Sequence, residues 1–322
     1  DAGFIKETSI DGSSFKVFDT QRKATGIFAH LGRLEKGSLK VGDDVRLDVD
    51  NRRRQNVCAN HSATHLLHAA LRNRLGAHVT QKGSLVAEDR LRFDVSHHKA
   101  LELDEIADAE KIVNEQIALN VQVITRLMEP DAAVESGAMA LFGEKYGEEV
   151  RVVSMGREKN KSDPFSTELC GGTHVGYTGE IEIFKILSEG AVAAGIRRIE
   201  AISGEGVRNY FISVEKAINS TANQLGIDPY SLPIAVRELM EKRSLLDNRL
   251  KNVRRHKAIG GDISEFIQAQ KQQSISIESS ELPADMEQVL DQTATVLKVQ
   301  PSDVPERVAF LLKECTKLEK EI

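Results

Sequence analysis

The sequence has only three cysteines, Cys58, Cys170 and Cys315, in 322 residues. Such scattered thiols are too few for a disulfide framework, so we expect a protein of a reducing compartment, the cytoplasm. Apolar runs also fall short of the roughly 20 residues that a membrane-spanning helix needs, and no signal peptide is recognisable. The sequence therefore predicts neither a secreted nor a membrane protein, and no membrane partner.

An excess of positive charge is missing as well, because the formal net charge is -6 and the pI is near 5.9. This balance excludes a generally basic nucleic-acid-binding protein, so contact with nucleic acid would need local basic patches. The first residue is Asp1 rather than an initiator methionine, and we expect a fragment of a longer protein. A chain of 322 residues is long enough for two or three domains.

The hydrophobic pattern divides the chain into regions with different expected folds. Residues 1–51 contain short strand patterns between glycine-rich turns, which is typical of part of a β-barrel. From Arg52 apolar residues recur at helical spacing and stop near Gly76, after which strands and helices alternate. We therefore predict that residues 52–205 form one α+β unit, an α/β sandwich that contains the candidate site.

Two segments of this unit carry more specific predictions. Residues 121–127 are rich in apolar side chains and predict a buried strand. Residues 156–168 are polar and include lysine and proline, which predicts an exposed loop that delivers Cys170.

An internal repeat with a spacing of 72 residues organises the chain beyond residue 205. Seven residues of the first copy recur in the second: Thr221, Ala222, Leu225, Pro229, Pro233, Leu239 and Leu246 correspond to Thr293, Ala294, Leu297, Pro301, Pro305, Leu311 and Leu318. Each copy predicts a short helix, a proline-bounded turn and a helix with a heptad-like apolar stripe.

The two copies are assigned to residues 206–260 and 284–322, and we expect the second to be incomplete. Residues 261–283, which carry Gln and Ser runs, are predicted to be a linker. So few heptads do not specify a long coiled coil, and a helical hairpin packed on a neighbour fits equally well. Whether the chain forms a homodimer through this helical segment stays open.

Four residues form the candidate metal site. His61 and His65 lie four apart on the predicted helix, which brings both imidazoles to one face, about 6 Å apart. Cys170 and His174 repeat the same spacing in a glycine-rich stretch. Three imidazoles and one thiolate make the tetrahedral donor set that Zn²⁺ prefers, so we predict one Zn²⁺ per chain.

One histidine pair alone would be weak support, because two histidines on a helix more often form a polar face. The zinc-protease variant of the motif also requires a glutamate directly after the first histidine, where this chain has Ser62. The zinc prediction therefore rests on both pairs together.

Three spaced motifs resemble the editing domain of bacterial alanyl-tRNA synthetases. They are His61-Ser-Ala-Thr-His65, Gln81-Lys-Gly-Ser-Leu85 and Glu168-Leu-Cys-Gly-Gly-Thr-His174. Flanking stretches at residues 7–12, 141–146 and 195–202 agree with the family as well. The resemblance covers residues 1 to about 260, and it is partial beyond, where the helical segment occurs a second time.

This resemblance implies hydrolysis of the ester that joins serine or glycine to the acceptor end of tRNA(Ala), with the metal held by His61, His65, Cys170 and His174. The full-length relative would be a class II ligase that joins alanine to tRNA(Ala) with ATP and Mg²⁺. We expect the fragment to lack that catalytic core, together with ATP and Mg²⁺, and to lack the opening strand of the editing barrel.

The need for editing follows from the size of the amino acids. A pocket for alanine cannot exclude glycine and rejects an added hydroxyl only about 100-fold, so a second, hydrolytic site is required. That site must reject alanine, and Gln81 is the candidate partner of the seryl hydroxyl; the alternative is a glutamine that faces solvent. Thr64 and Cys170 complete the candidate catalytic set, although Thr64 and Thr173 are more typical of capping or supporting residues.

The role of the metal stays open at this point. Four protein ligands describe a closed structural site, whereas a catalytic zinc keeps one position open. Either one ligand is displaceable, with Cys170 or a water as the variable one, or zinc orders the pocket while the substrate activates water.

Other polar features have ordinary explanations beside functional ones. His97 and His98 follow a strand and predict a turn. Three basic groups could contact acceptor-stem phosphates, although the first is also typical of a solvated helix start. They are Arg52-Arg53-Arg54, Lys159 with Lys161, and Arg197-Arg198. The cations at residues 254–257 suit the end of a helix and need no partner.

Two further functions remain as alternatives. One is a non-catalytic, zinc-stabilised fragment that binds tRNA and dimerises. The other is a free-standing alanyl editing protein, or the related editing domain of threonyl-tRNA synthetase. The tandem helical repeat argues against a compact free-standing protein. The motifs that begin at Gln81 and Glu168 favour the alanyl over the threonyl family.

Overall fold

The computed structural model describes residues 2–7, 12–24, 26–135, 137–139, 148–159, 163–260 and 282–322. The chain separates into two compact units, Asp1–Val207 and Arg208–Ile322. The first combines sheets and helices and the second is built from helices, so the α+β class with a following all-α segment is confirmed. The finer domain boundaries at residues 52–205 and 206–260 stay predictions.

Four strands at the start of the chain form an antiparallel sheet in the order β3-β2-β1-β4. They are β1 (Gly3–Glu7), β2 (Ser14–Ala24), β3 (Ile27–Lys36) and β4 (Val45–Val49). Among the described residues this sheet does not close into a barrel, and apolar side chains such as Phe28 and Leu47 are exposed on it. Residues 8–11 of the stretch at 7–12 lie outside the described part.

The core of the first unit lies between two helices and a second antiparallel sheet of order β10-β11-β6-β5. The helices are α1 (Asn51–Leu75) and α2 (Leu103–Ala118). The strands are β5 (Gln81–Val86), β6 (Leu91–Ser96), β10 (Phe184–Ala193) and β11 (Ile196–Ser203). Alternate residues of β6 are buried, which is the period of a strand covered on one face.

A third, smaller sheet has the order β7-β8-β9 and carries the cysteine motif at its end. Its strands are β7 (Ile124–Met128), β8 (Val150–Met155) and β9 (Ser166–Leu169). Helix α3 (Pro130–Glu135) follows β7, and a 3₁₀ turn spans Thr178–Ile181. Residues 140–147, which include the stretch at 141–146, are not among the described ones.

Two predictions for this region were correct only in part. The stretch at 121–127, predicted as a buried strand, contains most of the edge strand β7, but the side chains of β7 are largely exposed. The segment predicted as an exposed loop at 156–168 ends in strand β9, where Ser166 and Glu168 are buried. Pairing with β8 draws these polar residues into the interior, and the polar composition alone does not reveal that pairing.

The second unit repeats one motif, as the 72-residue spacing predicts. In the first copy α4 (Glu205–Leu225) is followed by a 3₁₀ turn (Pro229–Ser231) and α5 (Leu232–Ala258). In the second copy α6 (Met286–Leu297) is followed by a 3₁₀ turn (Pro301–Asp303) and α7 (Val304–Glu321). Most of the predicted linker, residues 261–281, lies outside the described residues.

The packing of this unit also follows the predicted pattern. Leu239, Leu246 and Leu311 of the predicted stripes are buried in one apolar cluster. Thr221 and Thr293, which occupy equivalent positions, are both fully buried, and each hydroxyl donates to the carbonyl four residues earlier. The helices of the two copies thus share one apolar core. Across the described chain no helix is both long and apolar enough to cross a membrane.

Candidate metal centre

Helix α1 supplies half of the site and is well delimited. The Asp50 side chain accepts a hydrogen bond from the Arg53 backbone amide at its start, and Gly76 follows its last residue. Leu66, Leu67 and other apolar residues of the helix are completely buried. Because these anchors fix the rotation of the helix, His61 and His65 face the same side as the cysteine motif.

Strand β9 and the loop after it supply the other half. The Cys170 amide donates to the Arg151 carbonyl at 2.9 Å, which extends the pairing of β9 with β8 to the ligand itself. The Arg151 guanidinium in turn donates to the carbonyls of Cys170 and Gly172. An added Cβ at Gly172 would collide with the His61 ring, so the close approach of loop and helix requires glycine at this position.

The four predicted ligands converge. One donor atom from each of His61, His65, Cys170 and His174 lies within 4.8 Å of all the others. The Cys170 Sγ lies 3.4 Å from the Nε2 atoms of both His61 and His174. The three ring centroids are 4.2 to 5.2 Å apart. The structure therefore brings together the residues that the two sequence pairs predict as ligands.

Each imidazole has a second partner at its other nitrogen. Nδ1 of His65 lies 2.8 Å from a Glu168 carboxylate oxygen. Nδ1 of His61 lies 3.2 Å from the Thr173 carbonyl, and Nδ1 of His174 lies 3.1 Å from the Ser62 hydroxyl. All three partners can accept a hydrogen bond from a protonated Nδ1, and in that neutral tautomer the Nε2 lone pair can bind an ion. Metal-binding histidines are typically oriented by such outer partners.

The charges of the site favour metal ligation. Burial would raise the pKa of Cys170, but hydrogen bonds from His174, His61 and His65 outweigh it and lower the pKa to about 3. Burial also opposes ionisation of Glu168, yet hydrogen bonds from His65 and His68 lower its pKa to about 2. The thiolate is the form of cysteine that binds metals.

The pKa values of His65 and His174 shift in opposite directions. Burial lowers the pKa of His65, but its hydrogen bonds to Cys170 and Glu168 raise it overall, to about 10. Burial holds the pKa of His174 below its usual value, against the hydrogen bond to Cys170. Two anionic partners on opposite sides of His65 explain the difference, since the carboxylate and the thiolate both stabilise its charged form.

Glu168, His68 and Ser62 are the residues of the site that sequence reasoning missed. Glu168 bridges two histidines, with its other oxygen 2.8 Å from His68 Nδ1. His68 is buried edge-on against the Phe93 ring, and its Nε2 has no hydrogen-bond partner. Two signals in the sequence could have found them. His65 and His68 are three apart, which puts them on one helix face, and Glu168 lies two residues before Cys170.

The other two candidate catalytic residues occupy contrasting positions. Gln81 is half-buried at the start of β5, and it pairs with Val95, so both side chains lie on the sheet face that packs in the core with α1. Thr64 is buried within α1, and its hydroxyl donates to the Asn60 carbonyl at 2.8 Å.

The basic groups considered as phosphate contacts mostly have acidic partners. Arg52 pairs with Glu205, Arg53 with Glu88, Arg197 with Glu189 and Arg198 with Asp94. The arginine triplet begins helix α1, in agreement with the ordinary explanation. Lys161 is not among the described residues.

Comparison with known proteins gives two consistent results. Residues 150–200 match the family described as Threonyl and Alanyl tRNA synthetase second additional domain. Proteins named alanine-tRNA ligase are similar over a larger part of the chain. The relative from Parvibaculum lavamentivorans is 51% identical over 254 residues, which cover 79% of this chain and 28% of the relative.

Two further relatives with the same name agree closely. The protein from Sphingopyxis alaskensis is 51% identical over 261 residues, or 81% of this chain and 29% of its own length. The protein from Mesorhizobium japonicum is 49% identical over 264 residues, again 81% of this chain and 29% of its own length. The chain thus spans less than a third of the length of the curated relatives it matches.

Proposed function

Because this chain belongs, as a segment, to the alanyl-tRNA synthetase family, we propose that it is an editing module that hydrolyses Ser-tRNA(Ala) and Gly-tRNA(Ala). The substrate is the acceptor end of tRNA(Ala) carrying the wrong amino acid, and the bond broken is the ester between the two. The observation that carries this proposal is the convergence of His61, His65, Cys170 and His174, two motifs more than a hundred residues apart, on one partly buried point.

The metal of this site is proposed to be Zn²⁺, one ion per chain, held by those four side chains. Three imidazoles and a thiolate with proton-accepting partners at Nδ1 suit this ion. When bound, Zn²⁺ would supply Lewis acidity at the ester or at a water. The chain itself orients the ligands: Glu168 fixes His65, and Ser62 accepts both from the Val175 amide and from Nδ1 of His174.

Selection of serine over alanine is assigned to Gln81. Its amide can meet the seryl hydroxyl, whereas a bound alanine would leave that amide without a partner, at a cost of about 1–3 kcal/mol. Its half-buried position opposite Val95, on the sheet face turned toward α1, supports this role. Glycine has no hydroxyl either, so Gln81 accounts for the choice of serine over alanine and not for the hydrolysis of Gly-tRNA(Ala).

Cys170 and Thr64 act differently from Gln81. Cys170 is proposed as the ligand that gives way when the site needs an open position, since its sulfur lies on the loop rather than on the rigid helix. The Thr64 hydroxyl is already used within α1, so its part is to support the helix between the two histidines.

The proposal also covers the longer protein of which this chain would be a segment. The whole protein would join alanine to tRNA(Ala) with ATP and Mg²⁺ in another part of its chain, in the cytoplasm, and could dimerise through the helical segment. The three free cysteines suit a reducing compartment.

The rival function is a zinc-stabilised fragment that binds tRNA without hydrolysing it, and a closed set of four ligands favours it. The test is release of serine from Ser-tRNA(Ala) by this chain loaded with zinc, with Ala-tRNA(Ala) as the control. We expect serine release well above the uncatalysed rate and little release of alanine. No release from Ser-tRNA(Ala), with zinc bound and tRNA still bound, would reject the editing proposal and favour the rival.

A further inference from the structure

A second group of histidines lies outside the site described above. His78 is in the turn after α1, and His97 and His98 directly follow β6. Their ring centroids are 5.2 Å apart for His78 and His97, 5.9 Å for His78 and His98, and 4.9 Å for His97 and His98. One ring nitrogen from each lies within 4.8 Å of the other two.

Hydrogen bonds of the surrounding backbone hold the three residues in place. The Ser96 hydroxyl donates to the His78 carbonyl at 2.7 Å and accepts from the Thr80 amide at 2.9 Å. The His97 amide donates to the Gly195 carbonyl at 3.0 Å. The turn with His78 is thus fastened to the end of β6, which places the backbone of His78 beside that of His97, and His98 follows directly.

The ring nitrogens of the group do not all have hydrogen-bond partners in the protein. His78 Nε2 and His97 Nδ1 lie 2.9 Å apart, a distance at which only one of the two can carry a proton. His97 is buried, and its Nε2 has no hydrogen-bond partner. A buried polar nitrogen without a partner is unusual, and an ion bound through Nε2 of His97 would supply that partner.

The chemistry of the cluster selects the kind of ligand. Burial favours the neutral form of His97, and neutral imidazole is the form that binds metals. His78 and His98 are exposed, which leaves a route from solvent to the cluster. The nearby Lys99 ammonium is paired with Glu105 at 3.2 Å, so it does not stand as an isolated positive charge against a cation.

We propose that His78, His97 and His98 form a second metal site, which binds a divalent transition-metal ion such as Zn²⁺ through three imidazole nitrogens. Imidazole ligands suit zinc, copper and nickel, and a site with three protein ligands leaves a coordination position for water or another small ligand. Within the described part of the chain no carboxylate hydrogen-bonds to these rings as Glu168 does to His65, so we expect this site to bind the ion more weakly than the first.

The second site is separate from the first. His65 is ten residues before Leu75, the last residue of α1, which corresponds to about 15 Å along the helix axis. His78 lies in the turn beyond that end. The two clusters therefore hold different ions, and the second can be removed without touching a ligand of the first.

The test is a Zn²⁺ titration of the full chain, already loaded with one equivalent of zinc, followed by calorimetry and by the imidazole NMR signals. We expect a second, weaker equivalent that shifts the signals of His78 and His98. The H98N and H78N variants each change an exposed residue. Each should lower the affinity for the second zinc equivalent by more than about 10–100-fold, which is the usual cost of losing an outer partner of a metal ligand. H30N, which removes an imidazole elsewhere in the same unit, should leave it unchanged.

Two results would overturn the proposal. One is the absence of any second equivalent in the parent chain at zinc concentrations up to millimolar. The other is a second equivalent that keeps its affinity in H98N or H78N, because the ion would then be held by other residues.

Discussion

Glu168 Oε2 lies 2.8 Å from Nδ1 of His65, so a residue outside the proposed ligand set fixes the orientation of one within it. The same carboxylate holds His68 with its other oxygen. Because both contacts are buried, loss of the carboxylate charge cannot be compensated by water. The metal centre thus depends on a strand residue as much as on the motif histidines.

E168Q is expected to weaken zinc binding by about 10–100-fold, since the neutral amide can accept from only one of the two histidines. The measurement is competition with a chelator of known zinc affinity. The control is E149Q, which changes an exposed glutamate just before β8. An unchanged zinc affinity in E168Q would show that His65 does not need this partner.

G172A is expected to lower zinc affinity by about 5- to 150-fold, because overpacking of this kind typically costs about 1–3 kcal/mol. The new Cβ would meet the His61 ring and push the ligand loop away from the helix. G171A is a matched control, since a Cβ at Gly171 meets open space. Equal zinc affinities in the two variants would contradict the close approach seen here.

H65A is expected to abolish both zinc binding and release of serine from Ser-tRNA(Ala). The reason is that His65 is a proposed ligand and the partner of both Glu168 and Cys170. Zinc content by mass spectrometry and a deacylation assay measure the two effects, with H30A as control. Retained zinc with full activity would remove His65 from the site.

Q81A is expected to slow hydrolysis of Ser-tRNA(Ala) by about 10–100-fold, the equivalent of roughly 1–3 kcal/mol, with a much smaller effect on Gly-tRNA(Ala). Glycine has no hydroxyl for Gln81 to meet, so the second substrate is an internal control. K82A, which changes the exposed neighbour, should affect neither rate. Equal slowing with both substrates would assign Gln81 a structural role instead.

The ion pair of Asp94 and Arg198, which joins β6 to β11 at 2.7 Å, should make stability depend on pH. The hydrogen bond from Arg198 holds the pKa of Asp94 below its usual value. The stabilisation is therefore complete above the usual value of about 3.9 and is lost as the pH falls through the lowered pKa of the folded protein.

Urea unfolding of the parent and of D94N tests this relationship. The midpoints should differ at neutral pH and converge as the pH falls below about 4. D89N, which changes an exposed aspartate, should follow the parent throughout. A difference between parent and D94N that persists undiminished in acid would exclude the ion pair as its cause.

Local patterns in the sequence predicted several features correctly. The spacing of His61 and His65 and of Cys170 and His174 marked the four residues that the structure brings together, because residues four apart on a helix are neighbours whatever the rest of the fold does. The limits of helix α1 followed from apolar periodicity and from Gly76. The repeat in the second unit followed from identical residues at a constant spacing.

Pairing between distant segments was beyond the reach of such patterns. Polar composition predicted a loop up to Glu168, whereas pairing with β8 makes it part of buried strand β9. His97 and His98 were predicted as a turn, and the backbone does bend there. Only the pairing of β5 with β6 brings His78 to them, from nineteen residues earlier in the chain.

The sequence by itself determined which side chains can bind a metal and in which family their motifs belong, because donor chemistry and short-range spacing are properties of the chain alone. Tertiary structure decided how the donors are oriented. Glu168, Ser62 and the Thr173 carbonyl reach the three histidines only after helix α1 has packed against the end of β9. A hydrogen bond requires two groups within about 3 Å, and for residues a hundred positions apart only the packing of the core can impose that distance.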